Sequence, residues 1–326
     1  MGGNAIKNSK RISNSEIQKL KDNIVFNIRN FKFSSCIQYI GFPKTYENKE
    51  DHGDLDTVIS LYDLNFYKNE HFKKEILSIF SSKDYFFNSN VFSIEFLGYQ
   101  IDLIFCSSEF FNSHLSYLSY NDLGNFIGRT AHKMGLKFGE KGLLLPVRLN
   151  SNVEEMILSS DFEQIIEFLG YDVKVYKQGF KTLEEIFEFT VNSRYFSGSS
   201  FIDSEQNHTN RVRNSKRKTW NTFCSYLKEN SLLDKNFNFP DKEISQKSAL
   251  EFFNKVSEYN YLLQENEKRN LEAEKFNGNI VKDLTSLKEK SLGIFIKRFK
   301  EKYNISDFSK DEIKELIKQE AKAFET

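Results

Sequence analysis

Three aspartates carry the chemistry that residue type and spacing allow this chain. Asp54 and Asp56 stand two apart at the head of an apolar run, Thr57-Val58-Ile59-Ser60-Leu61-Tyr62. A β-branched run of this kind reads as a strand, and its period of two puts both carboxylates on one face. Asp102 interrupts a second run, Tyr99-Gln100-Ile101-Asp102-Leu103-Ile104-Phe105. Asp-x-Asp pairs are common at solvated strand ends, so the pair alone says little. A charge in the middle of an apolar strand is different, because burying it without a partner is costly. If the two strands are neighbours, the three carboxylates converge and repel unless a cation sits among them. Hard divalent ions take oxygen ligands and keep room for water and phosphate, which is the layout of a two-metal phosphoryl-transfer site.

Several elements must position these residues. Ser13 to Phe31 reads as a helix capped by Ser13 or Ser15, with Ile17, Leu20, Ile24 and Ile28 on one face. Residues 35–40 form a short strand ended by Gly41, and the loop beyond it carries Lys44 and Lys49. A glycine turn with lysines beside a metal site suits triphosphate oxygens, and Lys44 is nearer the turn. His52 is expected to orient the loop, since magnesium prefers oxygen. A helix over 70–80 and two strands, 91–97 and 99–106, hinged at Gly98 complete a mixed sheet. The spacing next predicts a helix over 121–134, with Leu123, Phe126, Ile127, Ala131 and Met134 inward and Asp122, Asn125, Arg129 and His132 opposite. Residues 142–147 read as a further strand closing the sheet.

Gly41, a loop, His52-Gly53-Asp54-Leu55-Asp56 and then Ile101-Asp102-Leu103 resemble the signature of the polymerase-beta-like nucleotidyltransferase superfamily. Residues 119–143 are similar to the segment after the third aspartate in family X DNA polymerases, where a helix bearing Asn, Arg and Ala leads to a Gly-Leu, a short strand and a second Gly-Leu. The likeness covers residues 35–148. Two details depart from it: Phe42 follows Gly41 where the family usually has serine, and Arg129 sits one place nearer the glycine. No helix-hairpin-helix motif and no lyase-like domain are found.

The resemblance implies an α+β fold, a palm-like mixed sheet with helices on one side followed by a mainly helical carboxy-terminal region. It implies metal-dependent transfer of a nucleoside monophosphate from an NTP or dNTP to a 3′-hydroxyl, releasing pyrophosphate. Asp54 and Asp56 would hold the metal on the triphosphate and Asp102 would help hold a second, with Mg2+ as the ion and Mn2+ a substitute. Gly41, Lys44, Gly53, Asn125 and Arg129 would meet the nucleotide. The acceptor would be DNA or RNA with a free 3′ end. Template-independent addition to tRNA or other RNA is the first alternative; a non-catalytic nucleic-acid-binding or virion-associated protein on the same fold is the second.

The chain has 326 residues, enough for one large or two modest domains. Its 46 basic residues balance 46 acidic ones, so nucleic-acid binding through bulk charge is not indicated and a local patch must supply it. Arg211-Val212-Arg213-Asn214-Ser215-Lys216-Arg217-Lys218-Thr219-Trp220 is such a patch. On one helix, Arg211, Arg213, Lys216, Arg217 and Lys218 would meet phosphates and Trp220 would stack on a base; the alternative is a solvated basic face with Trp220, Phe223 and Leu227 in the core. The 33 Phe and many Asn and Lys suit an AT-rich genome, so single aromatics mean little. Cys36, Cys106 and Cys224 are far apart and read as thiols in a reducing compartment. No run is long enough to span a membrane, and a cytoplasmic or virus-encoded intracellular protein is expected. The domain reading is a disordered leader (1–12), a nucleotidyltransferase domain (13–149), a small helical unit (150–205) and a helical carboxy-terminal region (206–326) whose helices would pack on the catalytic unit, clamp a substrate strand or bind a protein partner. Within that last region Asn277-Gly278-Asn279 marks a break, and Ser309 with Glu312 forms a capping box.

Overall fold

The computed structural model describes residues 5–150, 152–202 and 208–325. It begins with a short strand β1 (Ile12–Ser13) and helix α1 (Asn14–Arg29), then β2 (Ile37–Gly41), β3 (Asp51–His52), β4 (Leu55–Leu61), α2 (Glu70–Ile79), β5 (Tyr85–Asn88), β6 (Val91–Phe96) and β7 (Tyr99–Ser107). Helices α3 (Phe111–Leu118) and α4 (Leu123–Lys133) follow, then β8 (Lys137–Gly139), β9 (Gly142–Leu149) and β10 (Asn152–Ser159). The remainder is helical: α5 (Phe162–Phe168), α6 (Val173–Gln178), α7 (Leu183–Val191), α8 (His208–Ser215), α9 (Lys218–Glu229), α10 (Lys242–Phe252), α11 (Val256–Lys275), α12 (Gly278–Leu284), α13 (Glu289–Lys302) and α14 (Lys310–Glu325). None of the described helices is long and apolar enough to cross a membrane.

Five strands form a mixed sheet in the order β2-β4-β7-β6-β5. β4 and β7 run parallel at its centre, and the other neighbours are antiparallel. The β6–β7 hairpin turns on Leu97 and Gly98, both at positive φ, as a tight two-residue hairpin requires. One face of β4 and β7, through Leu55, Ile59, Leu61, Ile101, Leu103 and Phe105, packs under α1 and α2 in a core with Leu20, Ile24, Ile28, Phe72 and Ile76. The stripe expected on α1 is the stripe it buries, and Ser13 and Glu16 form its capping box.

Helices cover both faces of this sheet, which corrects the expectation of helices on one side only. The opposite face of β4 and β7 carries Val58, Ile104 and Cys106, all buried, and strands apolar on both faces need cover on both. α3 supplies it. A Cβ on Gly41 would lie 2.8 Å from Phe111 and 2.9 Å from Leu115, so this glycine lets α3 approach the sheet. β9 does not close the five-stranded sheet either; it pairs with its sequence neighbours β8 and β10 in a sheet of its own, as consecutive strands commonly do.

The amino-terminal stretch is not a disordered leader from Ala5 onward: Ile6 and Ile12 are buried and β1 pairs with β3. Two compact units divide the chain, one of residues Met1–Val147 and Glu154–Phe253, the other of Arg148–Val153 and Asn254–Thr326. Besides the sheet core, the first unit has an aromatic cluster of Phe126, Phe187, Phe201, Trp220 and Phe223. The second has its own core of Phe276, Val281, Phe295, Phe299, Ile313 and Ile317. Ser309 and Glu312 cap its last helix reciprocally.

Candidate metal centre

Asp56 and Asp102 are register partners on the parallel strands β4 and β7. Parallel neighbours in register present their side chains to the same face about 5 Å apart, so the two carboxylates stand side by side. Asp54, two residues earlier, joins them, and one carboxylate oxygen from each of the three lies within 4.8 Å of the others. The cluster can hold a metal ion. The parallel pairing is what brings it together, because the two segments are separated in sequence by a helix and a hairpin.

Electrostatics show how poorly three such groups tolerate one another without a cation. Burial, then the charges of Asp54 and Asp102, push the Asp56 carboxyl up to about 8. Burial and Asp54 likewise raise Asp102, against the hydrogen bonds it receives from Ser93 and Gln100. A carboxyl crowded in this way keeps its proton to higher pH unless a cation lies beside it. Three oxygen donors with no nitrogen or sulfur ligand among them fit a hard divalent ion.

One cation of the chain already faces the cluster. Lys49 is half-buried, its ammonium pressed below the ordinary lysine value by burial and held up by Asp54 and Asp56. Its Nζ donates to Asn121 Oδ1 at 3.0 Å, and Asn121 adopts the left-handed conformation that asparagine tolerates. Lys44 is exposed; its backbone N–H donates to Ser119 Oγ and its carbonyl accepts from Tyr120, so the loop is anchored while the ammonium lies in solvent. Spacing favours Lys44 for its nearness to the turn, whereas in the fold it is Lys49 that interacts with Asp54 and Asp56. His52 is buried and neutral, pressed to about 4 by burial and then by Lys49 and Lys21. It pairs with Ile12 across β1 and β3 and is not one of the three clustered ligands, consistent with a role in holding the loop. Gly53 forms the bend between His52 and Asp54.

The polar face of α4 has a different environment from the one its spacing suggests. Arg129 is buried, and its Nε and one terminal nitrogen donate to the Ser200 carbonyl at 3.0 and 2.8 Å. Asn125 donates to Asn214 of α8 at 3.2 Å, and Asp122 is buried against Arg217. These bonds tie α4 to the helical half of the first unit; only His132 of the row is exposed.

The basic segment is not one helix. α8 ends at Ser215, and Arg217 is the N-cap of α9. Trp220 is only 3% exposed and packs on Phe126 and Phe201, so it cannot stack on a base. That expectation is corrected: an indole beside Phe223 and Leu227 on one helical stripe is drawn into the core by its area. Arg211, Arg213, Lys216 and Lys218 remain exposed. Lys218 acts on Asp51, whose carboxyl is held low chiefly by its hydrogen bonds with Arg11, and Asn121 stands 3.5 Å from Thr219. The start of α9 therefore lies beside the approach to Asp54. Compared with known proteins, the chain matches no family model and no curated protein.

Proposed function

We propose that the protein is a metal-dependent nucleotidyltransferase acting on a nucleic-acid 3′ end. The observation that carries the reading is the in-register pair Asp56 and Asp102 on parallel strands, with Asp54 within ligand distance of both. Two Mg2+ ions, or Mn2+ in their place, would there stabilise the attacking and leaving oxygens of an in-line displacement at the α-phosphate. Asp54 and Asp56 hold the triphosphate side of the site, and Asp102 serves the side of the 3′-hydroxyl. Lys49, fixed by Asn121, directs an ammonium at the same space and suits a phosphate oxygen as a compact point charge. Asn125 and Arg129 act in this reading by holding α4 in place. The exposed cations of α8 and of the start of α9, where Lys218 acts on Asp51, suit the backbone of the acceptor strand.

The test incubates the protein with Mg2+ and each labelled nucleoside triphosphate, with a gapped duplex, a single strand or tRNA as acceptor. Incorporation with pyrophosphate release is expected from one of these. In Asp102→Asn it should fall by more than about 100-fold, since weaker outer-shell changes at metal sites already cost 10- to 100-fold, while the thermal midpoint without metal does not drop. Full activity in Asp102→Asn would overturn the assignment, and so would absence of metal-dependent incorporation with every acceptor.

A further inference from the structure

Gln100 lies two residues before Asp102 on β7, so both side chains stand on the same face. It is 1% exposed, and both ends of its amide are used. Oε1 accepts the backbone N–H of Ala5 at 2.9 Å and of Ile6 at 3.1 Å, while Nε2 donates to Asp102 Oδ1 at 2.9 Å. A primary amide has one accepting and one donating end. Two backbone donors at one end therefore decide which end faces the aspartate: turned over, the amide would set N–H against N–H and oxygen against carboxylate. The amino-terminal strap thus determines that Gln100 presents a donor, not an acceptor, to Asp102.

The strap bears on the other side of the cluster as well. Lys10 donates to the Gly98 carbonyl at 2.8 Å, at the turn that begins β7. Ile12 pairs with His52 two residues before Asp54, and Arg11 grips Asp51 through both carboxylate oxygens. Ile6 and Ile12 are buried and seat the strap in the fold.

We propose that Gln100 is a positioning residue for Asp102, and that residues 5–13 set the metal affinity of the site by holding Gln100 on one flank and the approach to Asp54 on the other. The inference rests on the metal-site reading of the triad. Ligands at metal centres are oriented by the groups that hydrogen-bond them, and loss of one such group lowers affinity 10- to 100-fold. Unseating the strap therefore weakens metal binding without altering any ligand, which makes the strap a control element for the site.

The experiment titrates Mn2+ into the full chain by electron paramagnetic resonance, comparing wild type, Gln100→Leu and Ile6→Asp, with thermal midpoints in chelator measured alongside. Gln100→Leu removes the relay; Ile6→Asp unseats the strap and leaves Gln100 in place, and it also serves should Gln100→Leu not fold. Both are expected to bind Mn2+ about tenfold or more weakly and with an altered spectrum of the bound ion, which lost stability alone would not produce. Wild-type affinity and spectrum in either folded variant would overturn the inference while leaving the metal site standing. A wild-type chain that binds no Mn2+ would instead remove the metal-site reading and this inference with it.

Discussion

Asp56 is the residue at which the proposed chemistry meets the stability of the protein. Its carboxyl is raised to about 8 in the fold, against roughly 3.9 in an unfolded chain. The native state therefore binds more protons than the unfolded state between these values, and stability must fall as pH rises through that window. In chelator, the thermal midpoint is expected to drop between pH 5 and 8, by about 3 °C or more. Saturating Mg2+ should reverse the drop, because the ion replaces the proton, and Asp56→Asn should flatten it. A midpoint that rises steadily with pH in chelator would show that the triad is not crowded. The importance of Asp102 was legible in the residue itself, since a carboxylate inside an apolar strand demands a partner, and Asp54 and Asp56 gained theirs from it. Gln100 and Lys49 were not: a glutamine in a strand and a lysine in a loop acquire meaning only from what lies opposite them.

At the scale of elements, periodicity identified the faces and misjudged what covers some of them. The row Asp122, Asn125 and Arg129 on α4 was separated from the apolar stripe by its spacing, and it is indeed a distinct face. It is packed against α8, α9 and Ser200 because the helical half of the unit folds back over it. The sequence sets Trp220 both beside basic residues and on a stripe with Phe223 and Leu227, and it is the stripe that decides its place in the core. The remaining cations define a sharper test. Changing Arg211, Arg213, Lys216 and Lys218 to alanine together should weaken single-strand binding and reduce its salt dependence by about 0.7 logarithmic units for each phosphate no longer neutralised. The thermal midpoint should hardly move, as all four are exposed. An unchanged salt slope would place the acceptor strand elsewhere.

At the scale of the whole molecule, the two compact units have separate cores. Phe299 sits in the second, stacked on Phe276 with ring centroids 4.5 Å apart. Phe299→Ala is expected to cost that unit about 3 to 5 kcal/mol. Two units with independent cores need not unfold together. Denaturant unfolding should therefore show the transition of the carboxy-terminal unit shifted down, with Mn2+ binding to the first unit retained. Loss of both transitions in parallel would show that the units are one cooperative body. The sequence reading sets one carboxy-terminal region from residue 206, whereas the second compact unit starts only at Asn254 and also takes in Arg148–Val153.

The sequence by itself determined strands β4, β6 and β7 and helices α1 and α4 with their apolar faces, together with the three acidic residues that stand apart from that pattern; it did not determine β10, which lies in a stretch that reads as helical. The features it did determine are properties of local periodicity, which a chain carries wherever it is placed. Tertiary structure alone decided that β4 and β7 run parallel in a register that sets Asp56 beside Asp102, that a strap begun at Ala5 reaches Asp102 through Gln100, and that Arg129 and Trp220 are turned inward. The reason is physical: spacing along a chain specifies which side chains share a face, and only long-range packing specifies what that face meets.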